Sequence, residues 1–280
     1  MARNGHASSS DECLVLRVER TCRVSGGTSV FDCRTFGHRR SFWSRFALAL
    51  LAAVGARCYR GYDHQWTGWR MSEEHARRLR AASNPRRARP DDAAALTRLL
   101  SAAFRNDPVM DWIARPDSKR AAGLEAFFFR LLDTRAIPAG EVWMSDDGAA
   151  CAVWLPPGKP AWPRGAVAQL KLLPMFLRVC GFGRMGRGAA MSGAMEKAHP
   201  HEAHFYLFFM AVDLRYQGMG LGSALLDATL KRTDEAGLPT YLENSNPRNA
   251  RLYERAGFVA RKDIAPEGAP PLIPMWRTTS

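Results

Sequence analysis

The residues whose types and spacing suggest chemistry lie late in the chain. Arg215-Tyr216-Gln217-Gly218-Met219-Gly220-Leu221-Gly222 follows an apolar run and precedes a helical pattern. A strand, a glycine-rich turn and a helix start leave a row of backbone N–H groups without intrahelical partners, in the positive field of the helix dipole. Such a row binds phosphate, and glycines let the backbone approach without a Cβ in the way. Two other phosphate loops do not fit. A P-loop ends in Gly-Lys-Ser/Thr, whereas Gly222 is followed by Ser223 with no Lys. A dinucleotide loop needs G-x-G-x-x-G at an early βαβ unit, whereas this G-x-G-x-G comes late. Taken alone, the motif reads equally well as a Gly-rich strand-to-helix turn. Further on, Asn249 and Tyr253 stand at i and i+4, which puts a carboxamide and a phenol on one face of a short helix.

These groups need elements to hold them. Residues 205–212 are almost wholly apolar, as a central buried strand should be. After the loop, Gly222, Leu225, Leu226, Thr229, Leu230 and Thr233 share a helical face. Gly237 suits the C′ position and Pro239 blocks continuation. Residues 240–243 read as the next strand. Asn246-Pro247 is an N-cap followed by Pro at N1, opening a helix that ends at Gly257. Residues 258–264 and 272–277 form a closing antiparallel pair.

Upstream, Arg87-Ala88-Arg89 reads as a short first strand. Pro90-Asp91-Asp92 opens a helix with Leu96, Leu99, Leu100 and Ala103 on one face. A second helix is expected over 119–134. The runs 141–145 and 149–155 flank Asp146-Asp147-Gly148, a hairpin signal. Residues 161–200, with an apolar patch over 167–179, are expected to form a helical insert over the substrate side.

The chain has 280 residues, a net charge of +13 and 46% hydrophobic residues, the composition of a globular core with an Arg-rich surface. No run of five or six basic residues and no aromatic–basic interleaving marks a nucleic-acid surface, so none is expected as a partner. The six cysteines, Cys13, Cys22, Cys33, Cys58, Cys151 and Cys180, contain no C-x-x-C pair and no zinc spacing. Free thiols and no metal are expected.

The loop and the later helix together resemble the GNAT superfamily of acetyltransferases. Gln217, Gly220 and Gly222 match its Q/R-x-x-G-x-G/A acyl-CoA loop. Residues 246–258, with Asn246, Tyr253 and Gly257-Phe258 in place, are similar to its N-x-x-A/R-x-x-x-Y-x-x-x-G-F helix, with Asn249 standing at the A/R position. Val153-Trp154-Leu155-Pro156-Pro157-Gly158, His199-Pro200, His204-Phe205-Tyr206-Leu207 and Tyr241-Leu242-Glu243 are similar to the puromycin N-acetyltransferase-like branch. The resemblance covers residues 86–278. It implies an α/β fold with a mixed, mostly antiparallel sheet flanked by helices. It also implies transfer of an acetyl group from acetyl-CoA, as co-substrate, to an amine of a small molecule. In that mechanism the amides of Gln217, Gly218, Met219, Gly220, Leu221 and Gly222 cradle the pyrophosphate. Met210, Ala211 and Val212 pair with the pantetheine arm, Asn249 bonds near it, and Tyr253 protonates the departing thiolate. A phenol of reference pKa ~10 can re-protonate a thiolate whose conjugate acid lies near ~8.5. Many relatives carry a basic carboxylate in the strand before the loop. Here that strand offers only Tyr206 and apolar residues, so Glu243 and His204 are the candidate bases. A protein-amine acetyltransferase and a non-catalytic acyl-CoA-binding or regulatory module are the alternatives, and the presence of Tyr253 and Asn249 favours catalysis.

Residues 1–85 show no sustained period and read as a disordered, low-order extension, preceding a domain over 86–280. Met71-Ser72-Glu73-Glu74-His75 would make a natural N-terminus, so an over-extended gene start is one account of it. Arg39-Arg40-Ser41-Phe42-Trp43 before the apolar run 46–56 has the outline of a twin-arginine export signal. That run is far short of the ~20 residues needed to span a bilayer, and no A-x-A site follows. An exported enzyme would also lack the cytosolic acyl-CoA pool. A cytoplasmic protein without membrane attachment is expected.

Overall fold

The computed structural model describes residues 72–160, Val167 and residues 170–279. The twin-arginine stretch, four of the cysteines, the first 71 residues of the expected extension and most of residues 161–169 lie outside the described residues. Among the described residues, no helix is long and apolar enough to cross a membrane.

Seven strands form one sheet in the order β1-β2-β3-β4-β5-β7-β6. They are β1 (Arg86–Arg87), β2 (Val142–Met144), β3 (Ala150–Leu155), β4 (Phe205–Val212), β5 (Thr240–Asn244), β6 (Val259–Ala260) and β7 (Ile273–Arg277). Only β4 and β5 run parallel. The expected mixed, mostly antiparallel sheet is what the structure shows. β2 and β3 make the expected hairpin, with Gly148 at φ 70°.

The helices are α1 (Glu73–Ser83), α2 (Ala93–Ala103), α3 (Pro108–Ile113), α4 (Arg120–Leu131), α5 (Leu173–Ala198), α6 (Leu221–Glu235) and α7 (Ala250–Arg255). One face of the sheet buries Val153, Phe209 and Ala211 against Leu96 and Leu100 of α2, Phe127 and Phe128 of α4 and Val179 of α5. The other buries Ala152, Trp154 and Leu207 against Leu225, Leu226 and Leu230 of α6 and Tyr253 of α7. β3 is buried along its whole length because both faces are covered. Arg277 of β7 forks onto Asp234 of α6 at 2.6 and 2.8 Å and reaches the Ala256 carbonyl at 2.9 Å, tying the ends of α6 and α7 to the sheet.

Three elements differ from the sequence reading. Residues 73–83 are not low-order but form α1, capped by Ser72, whose hydroxyl accepts from the His75 amide at 3.1 Å. Glu73 and Glu74 in its first turn favour the positive helix end. His75, Leu79 and Ala82 lie on one face, and Ala82 is fully buried in the α6-side core. Second, α3 was not anticipated. Asp107 caps it, accepting from the Val109 and Met110 amides at 3.0 Å each, and Pro108 occupies N1. Third, the helical insert is longer than its apolar patch. α5 runs to Ala198 across a kink at Gly181, whose φ of 61° suits glycine.

α1 is therefore part of the packed domain. A chain beginning at Pro85 should melt about 5 °C or more below one beginning at Met71, because it exposes the α6 face that Ala82 and Leu79 cover. Equal melting curves for the two truncations in calorimetry would show that α1 adds nothing to the core.

Candidate active site

The site begins where two strands part. β4 pairs with β5 only through Phe205↔Thr240, Tyr206↔Tyr241 and Leu207↔Leu242. On the β3 side, Val153 faces Phe209 while Trp154 faces Leu207, so Phe208 is an extra residue bulged out of the ladder. A bulge bends its strand and increases local twist, which carries the end of β4 away from β5. The Asp213 amide bonds the Ala149 carbonyl at 2.8 Å on the β3 side. Backbone groups alternate along a strand, so Ala211 also faces β3 while Met210 and Val212 present theirs to the gap. Gln217 Nε2 donates to the Val212 carbonyl there at 3.2 Å.

The glycine loop sits at the end of β4. Gly218 and Gly220 have φ of 76° and 85°, a left-handed conformation open to glycine at low cost. Gly220 is the N-cap of α6 and has no side chain to fill the capping role, so the first-turn amides of Leu221, Gly222 and Ser223 stay open for an anion. α1 braces the loop from behind. His75 Nε2 donates to the Met219 carbonyl at 2.8 Å, the Arg78 guanidinium lies 3.8 Å from the Tyr216 ring centroid, and Leu79 packs on Gly220.

A cleft of about 1390 Å³ opens at this gap. Its wall holds Met210, Ala211, Val212, Gln217, Gly218, Gly220, Leu221, Gly222, Asn249, Tyr253, Glu243 and His204. The structure thus brings the candidate residues into one cavity, with one exception. Met219 turns away: its carbonyl is held by His75, and its side chain packs in the α6-side core.

Tyr253 is 8% exposed. Burial raises its pKa further above the ordinary phenol value, and the nearby Asp107 carboxylate adds to the rise, so the hydroxyl keeps its proton at neutral pH. Glu243 is displaced the other way relative to neutrality. Burial lifts its pKa from 4.5 to about 7, against the hydrogen bonds it receives from the Tyr206 hydroxyl and, at 3.0 Å, from the Tyr241 hydroxyl. A carboxyl near neutrality is placed to accept and return a proton. His204 is 8% exposed, and burial lowers its pKa. Its Nδ1 donates to the Glu202 carbonyl at 2.6 Å, which leaves Nε2 as the acceptor. The imidazole stacks edge-on with Tyr241 and lies 4.9 Å from the His199 ring. His204 therefore shares Tyr241 as a neighbour with Glu243.

Asp107, Ser245, Tyr206 and Tyr241 were not among the candidate site residues. Asp107 is 7% exposed, lines the cleft and accepts from Ser245 Oγ at 2.5 Å. Burial raises its pKa too. Asp107-Pro108 is an N-cap signature that could have flagged it. Tyr206 had no local signal, because it meets Glu243 through the register of two strands 35 residues apart, Tyr206 opposite Tyr241. Tyr241 stands two residues before Glu243 on the same strand, so the period of two could have flagged it.

Residues 177–258 match the Acetyltransferase (GNAT) family. Over 171 residues the chain is 25% identical to an uncharacterized N-acetyltransferase of Schizosaccharomyces pombe, spanning 58% of this chain and 68% of that protein. A shorter stretch of 69 residues is 38% identical to mycothiol acetyltransferase of Propionibacterium freudenreichii subsp. shermanii, covering 23% of this chain and 22% of that one. Among solved structures, a histone acetyltransferase HPA2 and related acetyltransferase from Corynebacterium glutamicum superposes with a TM-score of 0.52 at 26% identity, over 70% of this chain and 96% of the other. The fold is thus a mixed α/β, GNAT-like one, and the family match runs through the glycine loop and α7.

The raised Glu243 pKa has a consequence for stability. The folded protein holds a proton on Glu243 up to about pH 7, whereas the unfolded chain releases it near 4.5. Folding therefore loses stability as pH rises between those values. Glu243→Gln keeps an acceptor for the tyrosines and removes the charge. Its melting temperature should rise relative to the unaltered protein between pH 4.5 and pH 7, with the gap then constant. A gap independent of pH in thermal scans would contradict the raised value.

Proposed function

We propose that this chain transfers the acetyl group of acetyl-CoA to a primary amine of a small molecule, with Tyr253 as general acid and Glu243 as general base. The observation that supports it best is the meeting, in one cleft beside an unpaired strand edge, of a phenol held protonated and a carboxyl poised near neutrality. The pyrophosphate fits the open amides at the start of α6, and the amide-bearing pantetheine arm fits the backbone groups of Met210 and the amide of Val212 as a strand partner would, the Val212 carbonyl being held by Gln217. Asn249, on the Tyr253 face, takes a further polar contact with that arm.

The amine nitrogen attacks the thioester carbonyl carbon, the C–S bond breaks, and the amide forms. The ammonium proton passes to Glu243, directly or through water, and the Tyr253 proton passes to the thiolate. Solvent then returns a proton from Glu243 to Tyr253, so the sum is amine plus acetyl-CoA giving amide plus free thiol. Burial opposes phenolate at Tyr253, but it opposes the charged thiolate as well, so both charges are short-lived. His204 orients Tyr241, and through it the Glu243 carboxylate. The segments shared with the puromycin N-acetyltransferase-like branch support a small-molecule acceptor, and a purely binding module has no use for the acid–base pair. The need for acetyl-CoA makes the cytoplasm the expected compartment.

Tyr253→Phe keeps the ring and removes only the proton donor. Its kcat should fall ~10²- to 10⁴-fold, with acetyl-CoA affinity changed little. Stopped-flow thiol release and calorimetry measure the two quantities separately. Near-normal turnover in a variant that still binds acetyl-CoA would remove Tyr253 from this role.

A further inference from the structure

The acceptor half of the cleft has its own chemistry. Its wall includes Ile113 of α3, Phe127 of α4, Phe176, Met191 and Met195 of α5, and Phe208 at the bulge. Among the described residues, the Lys and Arg side chains lining the cleft are Lys159, Arg248 and Arg255. Arg248 and Arg255 flank Asn249 and Tyr253 on the α7 turn, and Lys159 is exposed on the loop after β3. None is on α3, α4 or α5.

The carboxylates of the chamber are engaged. Asp107 spends one oxygen on the Val109 and Met110 amides and the other on Ser245 Oγ. Glu243 receives one tyrosine hydroxyl on each oxygen. Glu196 and Glu202 line the cleft from exposed positions. A second ammonium on the acceptor would leave water for apolar walls without a free buried carboxylate to meet it. A carboxylate on the acceptor would meet no Lys or Arg on the helical wall, and the buried Asp107 and half-buried Glu243 carboxyls nearby. The atoms beyond the reacting nitrogen therefore face aromatic rings and thioethers, and methionines accommodate rings of different size.

We infer that the acceptor is a primary amine with an aromatic or alkyl body, bearing neither a carboxylate nor a second ammonium. This rests on the acetyl-transfer reading above and names the substrate class for that site. The test is thiol release by the full chain with acetyl-CoA and four amines: 2-phenylethylamine, phenylalanine, putrescine and a lysine-containing peptide. The kcat/KM for 2-phenylethylamine should exceed each of the others by about a hundredfold. Equal or greater efficiency with phenylalanine, putrescine or the peptide would overturn the substrate class while leaving acetyl transfer standing. Thiol release with none of the four, in protein that binds acetyl-CoA, would overturn both readings. A second variant probes the wall itself. Met195 is half-buried at the edge of the small core around Met191, Ile264 and Leu272, so Met195→Lys places a cation at the chamber, and a melting curve checks that the variant folds. It should lower the preference for 2-phenylethylamine over phenylalanine by about tenfold. An unchanged ratio in the folded variant would contradict the role of the apolar wall.

Discussion

The site depends on a strand pair that stops pairing. β4 and β5 share three register positions and then separate, although both strands continue. Backbone groups left this way in a protein interior require other partners. Here the separation is built in. Phe208 bulges β4 on the side of β3, and β5 keeps its bonds to β7 out to Asn244↔Ile273. One strand is bent and the other held, so the gap is a fixed feature of the sheet. The glycine loop closes the β4 side of that gap, and the turn into α7 closes the β5 side. The open amides at the start of α6, a strand-like edge and the Tyr253 hydroxyl consequently line one cavity.

Electrostatics divide the same cavity. The whole chain carries +13, yet the buried ionisable groups described in the cavity include Asp107, the phenols of Tyr206 and Tyr253 and the imidazole of His204. Burial moves Tyr253 and Glu243 in the same direction on the pH scale, with opposite effects on availability. It fixes the proton on the phenol and brings the carboxyl to about 7. One physical cause thus keeps the phenol protonated and brings the carboxyl near its midpoint at neutral pH. The tyrosine pair around Glu243 limits how far that carboxyl is raised, because both hydroxyls favour its charged form.

Much of this was legible in the sequence because it is written in local rules. The β2–β3 hairpin follows from Asp147-Gly148, the α6 face from its 3.6 period, and the loop from glycines at left-handed positions. α1 was not legible, since its buried face consists of His75, Leu79 and Ala82, with one large apolar side chain among them. α3 spans six residues, too short for a period to show, and only its Asp-Pro start betrays it. The proposed base was half legible. Glu243 could be proposed as the nearest carboxylate, but its hydrogen bonds come from Tyr206 on β4 and Tyr241 on β5. Tyr241 shares a strand face with Glu243, but only the parallel register, which no local pattern encodes, brings Tyr206 to it.

The central claim is that acetyl-CoA completes the sheet along the free edge of β4. Amide hydrogen exchange, followed with and without acetyl-CoA, tests it most directly. Binding should slow exchange across residues 208–212, chiefly at Met210 and Val212, and across the amides of Leu221, Gly222 and Ser223. Residues 205–207, already paired with β5, should change little. Acetyl-CoA binding confirmed by calorimetry, with no added protection at Met210 and Val212, would contradict the account.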